Sequence, residues 1–383
     1  MAALNQSAEW RNRTYRRESN HHLYCTSDLQ LLGRLQRDSL DRFFSELESD
    51  SDHLTTAASL LICIIGAFSN VIHLLVLNSK FIPYTSANCL LFWIAVCDLN
   101  TMLSCIFSYV IWFSERSECS EILGLSFAHV CWLVFHVFFT MYMHSVSIWL
   151  VVAMAFVRLM ALRRIRLHSR WLTTKRARLI VLATVLAVLP FCLGTVLVHQ
   201  PKVSVTSYHT FNACQYENGS RYWLVLSGFM YERGCLVLKL YLWVFGIGCK
   251  VLPCILLGTL SWSLMAKLKT QANIRRRTFS SMSSHYSLVT TTSHARSMSR
   301  QWRERRTTAA MAAIVMVFLL TELPQGLVTV LSALFTDDVY FHVYTWFGGF
   351  LDLLSLINSS VNFLIMCVTS TDYREAFINL TRR

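Results

Sequence analysis

Thr321-Glu322-Leu323-Pro324-Gln325-Gly326 stands inside an apolar stretch over residues 307–335, the sixth of seven such stretches in this chain. A carboxylate in the middle of a hydrocarbon-length segment, close to a helix-breaking proline, is costly to hold against lipid. Such a group faces protein or a water-filled cavity. The segment therefore asks for a polar core inside a helical bundle, and the rest of the chain supplies the bundle.

The other apolar stretches run over 54–78, 85–113, 126–162, 176–199, 236–265 and 341–368. Each is of the length, about 20 residues, that crosses roughly 30 Å of hydrocarbon. With 54% hydrophobic and only 15% charged residues, a chain of 383 residues is too apolar for a soluble protein. The expected fold is an all-α membrane protein, a seven-transmembrane helix bundle over 54–370. Residues 1–53 are expected to be an extracellular segment without structure. Their polar start lacks an apolar run behind basic residues, so no cleavable signal peptide is expected and the first helix would direct insertion. In residues 371–383, Tyr373, Ala376, Phe377 and Leu380 recur at helical spacing among polar residues. A short cytoplasmic amphipathic helix on the membrane surface is expected there.

Arg163, Arg164, Arg166, Arg170, Lys175, Arg176 and Arg178 lie near the third-to-fourth connection without an acid among them. Ten more basic residues fall between Lys267 and Arg306, opposed only by Glu304. The opposite loops hold Glu115, Glu118, Glu121, Asp337 and Asp338. Positive charge stays cytoplasmic, which puts the N-terminus outside and the C-terminus inside, and the multi-pass chain is expected in the plasma membrane. The net charge of +13 is thus a topology signal, and nucleic acid is not an expected partner. Asn5, Asn12 and Asn218 begin glycosylation sequons on the outer face of this topology.

The stretch of about 267–306 alternates arginines with Ser280, Ser281, Ser283, Ser284 and Thr290 to Ser293. Its composition cannot bury a core, so it is expected to be an unstructured cytoplasmic loop. It is either a solvated linker or a phosphorylated segment read by a regulatory partner. Most of the 13 cysteines lie within the apolar stretches as small apolar residues.

Inside the membrane the polar residues fall in stripes. Asp352, Ser355, Ser359 and Asn362 share one face of the seventh stretch, and His136, Thr140, His144 and Ser147 share one face of the third. Arg158 ends that third stretch on the cytoplasmic side. Glu322, Gln325 and Thr329 lie on one side of the sixth, and Asp98 is the lone acid deep in the second. One such group alone reads as a packing hydrogen bond worth about 1 kcal/mol. Several intramembrane carboxylates, with Pro253 and Pro324 kinking their helices, point to a central polar cavity. A receptor and a secondary transporter both fit a cavity of that kind, but no internal repeat speaks for the transporter. Neither a His-Glu-x-x-His spacing nor a phosphate-cradling glycine loop is present, so no enzyme is expected.

These residues together resemble a rhodopsin-like G-protein-coupled receptor over about residues 54–380. The resemblance is carried by Gly66-x-x-x-Asn70, Ala95-Val96-Cys97-Asp98-Leu99, Arg158, Pro253, Phe318 to Pro324 and Asn358-Ser359-Ser360-Val361-Asn362. The Thr321 to Gly326 segment, with Glu322 where most such receptors have tryptophan, resembles the invertebrate myosuppressin, FMRFamide-like and sex peptide receptor branch. Phe135-His136, His144 to Leu150 and Lys250-Val251-Leu252-Pro253-Cys254 are similar to the same branch.

The resemblance implies an extracellular amidated peptide ligand, a heterotrimeric G protein of the Gi/o class, kinases and arrestin at the third cytoplasmic loop, and a sodium ion. Asp98, Ser147, Asn358, Ser359 and Asn362 stand at the sodium positions, with Glu322 a possible second carboxylate there. Asp352 and Glu322 are expected to meet the cationic side chain of the ligand. His136, Thr140, His144 and Gln325 are expected to line the cavity. Arg158, Glu304, Pro324 and Phe318 are expected to act in switching and coupling, with Glu304 pairing Arg158. Cys131 and Cys214 most resemble the disulfide between the third helix and the second outer loop, Cys119 being the rival. The chain departs from the pattern at Val157, Phe363, Met366 and Ser261, where an acid, a proline and two tyrosines are common. Weak coupling or high basal activity is the expected consequence. A chemosensory receptor for a small molecule is the alternative within the fold.

Overall fold

The computed structural model describes Cys25 and residues 34–115, 124–162, 173–203, 221–283 and 315–382. The sequons at Asn5, Asn12 and Asn218, and also Glu304, Cys119 and Cys214, lie outside these residues. Six helices are long and apolar enough to cross a membrane, and a bent pair makes the seventh.

The first helix is Arg34–Leu77, the second Ser86–Glu115, the third Phe127–Leu162 and the fourth Thr174–Val198. The fifth span joins Glu232–Phe245, a π-helical turn at Gly246–Val251, and Leu252–Ser283. The sixth is Val315–Leu334. The seventh joins Tyr344–Ser360 to Asn362–Thr369, and a last helix covers Thr371–Thr381. Between the fourth and fifth helices, β1 (His199–Val203) pairs antiparallel with β2 (Tyr222–Leu226), and His199 stands opposite Leu226.

Two expectations are corrected. The segment before residue 54 was expected to lack structure, yet the first helix begins at Arg34. Residues 34–53 contain no proline or glycine, the residues that interrupt a helix, and Leu, Arg and Glu stand among their serines and aspartates. The basic loop was expected to begin at about residue 267, yet the fifth span stays helical to Ser283. Its first part, Lys267 to Arg277, likewise lacks helix breakers.

Apolar side chains such as Leu61, Ile65, Leu186, Leu240, Leu320 and Leu364 point outward, as lipid requires. The third span is the most buried of the six and the fourth the least. Pro253 cannot donate to the carbonyl four residues before it, that of Cys249, which lies in the π-helical turn. Trp149 Nε1 donates to the Gly248 carbonyl in that turn at 3.2 Å. A Cβ on Gly326 would stand 3.2 Å from Lys250 Cβ, so glycine there lets the fifth and sixth helices close together beside the turn.

The seventh helix bends by 44° at Val361 without a proline. The carbonyls released at the break are taken by the first helix. Asn70 Nδ2 donates to Ser359 O at 3.0 Å and Ser69 Oγ to Ser360 O at 3.2 Å. Gly66 makes this approach possible, since a Cβ there would come within 3.1 Å of Ser360 Cβ. Phe363, standing where the resemblance led one to expect proline, packs its ring against His73, Tyr373 and Phe377. The last helix is fixed by the same contacts: Tyr373 and Ala376 are buried, and the Tyr373 hydroxyl bonds His73 of the first helix. Ser370 caps it by accepting from Tyr373 N.

The disulfide differs from the one expected. Cys25 is bonded to Cys235 at the start of the fifth span. Cys131, expected to pair with Cys214, is a free thiol exposed on the third helix. Its side chain faces away from the bundle. Cys25 is further held by its backbone N–H, which donates to the Asp337 carboxylate at 3.1 and 3.2 Å. Cys235 has a left-handed backbone, φ 61°, in a run with Arg233 and Gly234. The covalent tie and its neighbours hold that conformation.

Candidate functional site

Four spans place polar side chains in the middle of the bundle. The π-helical turn carries Lys250 into the interior, where it is 3% exposed. Its Nζ lies 2.8 Å from Oε2 of Glu322, which is 0% exposed, and 2.7 Å from Oε1 of Gln325. His144 Nε2 donates to Glu322 Oε1 at 3.0 Å, and Asn358 Nδ2 donates to the same oxygen at 3.2 Å. Ser359 Oγ meets His144 Nδ1 at 3.4 Å, so the Nε2–H tautomer satisfies both contacts. Ser355 Oγ donates to Gln325 Oε1 at 2.9 Å. One carboxylate thus gathers donors from the third, fifth and seventh spans.

This placement corrects one expectation for Glu322: its charge is already matched by Lys250, so it is not a free acid for a ligand cation. Its hydrogen bonds run within its own network, while its charge still acts on Asp98.

Toward the hairpin end the network forms the floor of a cavity of about 90 Å³. His136, Thr140, His144 and Gln325 line it, as expected from the sequence, together with Lys250, Asp352, Ser355 and Tyr109. Asp352 lines the cavity and makes no hydrogen bond with another described residue, and the charge of Lys250 acts on it. His136 is oriented by Ser104 Oγ at 2.8 Å from Nδ1 and stacks on Trp132. Thr140 Oγ1 donates to the His136 carbonyl at 2.7 Å.

A second cluster lies toward the opposite end. Asp98, 1% exposed, accepts from Ser147 Oγ at 2.8 Å and from Asn362 Nδ2 at 2.8 Å. Of the five expected sodium residues, Asp98, Ser147 and Asn362 are joined by hydrogen bonds, and Ser359 Oγ meets His144. Asn358 turns to Glu322 instead. No cation pairs with Asp98 among the described residues, and a buried carboxylate ringed by hydroxyl and amide groups suits a hard cation.

Phe318 is buried one turn before Glu322, and Pro324 follows Glu322 by two residues, next to Gln325. Arg158 is half-buried on the third span, and its expected partner Glu304 is outside the described residues. Lys250 is the member of this network that the sequence expectations missed. Its signal was present: a lysine in the middle of an apolar stretch needs an acid.

The sequence model of a family described as "Serpentine type 7TM GPCR chemoreceptor Srw" matches residues 57–383. The chain is also similar to "G-protein coupled receptor dmsr-1" of Caenorhabditis elegans, with 28% identity over 341 residues, 83% of this chain. The match spans 66% of that relative's length.

Proposed function

Since the chain belongs to the serpentine seven-transmembrane G-protein-coupled chemoreceptor family Srw, we propose that it is a receptor for an amidated peptide bearing a cationic side chain. Membership makes it a multi-pass membrane receptor rather than an enzyme, with a ligand outside and a G protein inside. The finer assignment is a rhodopsin-like receptor of the myosuppressin and FMRFamide-like branch, coupled to Gi/o. Thr321 to Gly326 and the motifs around His144 and Lys250 support it.

The observation that carries the ligand assignment is the carboxylate of Asp352, which lines the cavity without a hydrogen bond to a described residue. A cation entering a low-dielectric cavity needs such an acid. His136, Thr140 and Gln325 offer the ligand further polar contacts around it. Binding favours the signalling state only as far as the ligand prefers it, so the cavity must change shape as Arg158 opens to the G protein. Removing one member of a desolvated charge pair costs about 2 kcal/mol or more. Asp352→Asn is therefore expected to weaken peptide potency by at least about tenfold, measured beside surface expression. Unchanged potency removes Asp352 from the site.

The second cluster is proposed to hold Na⁺ through Asp98, Ser147 and Ser359. The ion would supply the counter-charge that the protein does not, and would favour the resting state. The family description favours a second ligand reading, a small environmental molecule. A cationic small molecule would use the same Asp352.

A further inference from the structure

We infer that Glu322, by neutralising Lys250, sets the cavity's preference for an uncharged ligand terminus over a carboxylate. This deepens the amidated-peptide reading and rests on it. Among the described residues that line the cavity, Lys250 carries the positive charge and Asp352 the negative one. Lys250 faces the cavity but spends its charge below the floor, on Glu322 at 2.8 Å, with a further donor engaged by Gln325 at 2.7 Å. A carboxylate arriving at this floor meets a cation that is already paired. It also meets two acids, Glu322 beneath and Asp352 beside. A carboxamide brings no charge that needs a partner, so it is desolvated at far lower cost. Discrimination arises from the charge the floor withholds as well as from contacts to the amide.

The test measures the potency of an amidated peptide, its methyl ester and its free acid on surface-quantified receptor. On the wild-type chain the ester, neutral but without amide N–H donors, is expected to stay closer to the amide than to the acid. Glu322→Gln frees the Lys250 charge and is expected to shrink the acid-to-amide potency gap at least tenfold. The double variant Lys250→Met with Glu322→Gln removes that cation and is expected to restore the gap. An ester as weak as the acid overturns the inference while the peptide reading stands, and this arm does not depend on any variant folding. A gap unchanged by Glu322→Gln at normal surface level overturns it likewise, as does a gap equally small in the double variant. A wild-type receptor at the surface that answers neither amide nor acid removes the peptide reading and this inference with it.

Discussion

Lys250 and Glu322 are a buried pair whose members cannot be separated cheaply. Each is almost fully removed from solvent, and their 2.8 Å contact is joined by His144, Gln325 and Asn358. Removing one partner of a buried ion pair costs about 3–5 kcal/mol, whereas replacing both by neutral groups is often far less harmful. Lys250→Met is therefore expected to lower the thermal midpoint of the solubilised receptor more than Lys250→Met with Glu322→Gln does. Equal losses would show that the two residues do not act as a pair. At Asp98 the prediction concerns salt. If Na⁺ sits there, sodium weakens agonist affinity in the wild-type chain and Asp98→Asn abolishes that dependence. Agonist affinity that stays equally sodium-sensitive in Asp98→Asn places the ion elsewhere. At this scale the sequence exposed the acids, and the resemblance placed Ser147 and Asn362 with Asp98, but the lysine that pairs Glu322 was not foreseen. Asp98, Glu322 and Asp352 were conspicuous because carboxylates are expensive in lipid, while the pairing of Glu322 with Lys250 depends on helix rotation. The π-helical turn fixes the rotation of Lys250, and periodicity read at 3.6 residues per turn does not register a π turn.

Helix boundaries and bends were legible to the extent that local chemistry sets them. Pro253 announced an irregular fifth span, and the irregularity lies in the turn just before it. The bend in the seventh helix had no such announcement, because Phe363 replaces the proline and the first helix supplies the donors. Asn70 carries most of this work, with Nδ2 bonded to both Gly66 O and Ser359 O at 2.9 and 3.0 Å. Leaving a buried carbonyl unpaired costs about 1–3 kcal/mol. Asn70→Ala is expected to lower the thermal midpoint accordingly, while Leu61→Ala on the lipid face changes it little. An Asn70→Ala receptor as stable as the wild type would mean that the bend is held by packing alone. The helical starts at Arg34 and continuation to Ser283 were missed for a different reason. A polar segment outside the membrane was assigned no structure from its composition, although nothing in it breaks a helix.

The bundle as a whole was the most legible part of the sequence, since seven hydrocarbon-length stretches leave few alternatives once every backbone group must be satisfied in lipid. The chain links a hairpin-end cavity lined by Asp352, a charge-paired floor and an Asp98 cluster to the end that bears Arg158. What occupies that cavity depends on shape and charge that no single residue encodes, and Glu322 was matched to a ligand cation because its own lysine lies 72 positions earlier in the chain. The most direct measurement is inhibition of cAMP formation in cells expressing the full chain, challenged with C-terminally amidated Arg-Phe peptides beside their free-acid forms. A response to the amides, lost or shifted at least about tenfold by Asp352→Asn, is the predicted result. Silence toward every amide, with the receptor confirmed at the surface and a functional Gi/o readout in the same cells, would contradict it.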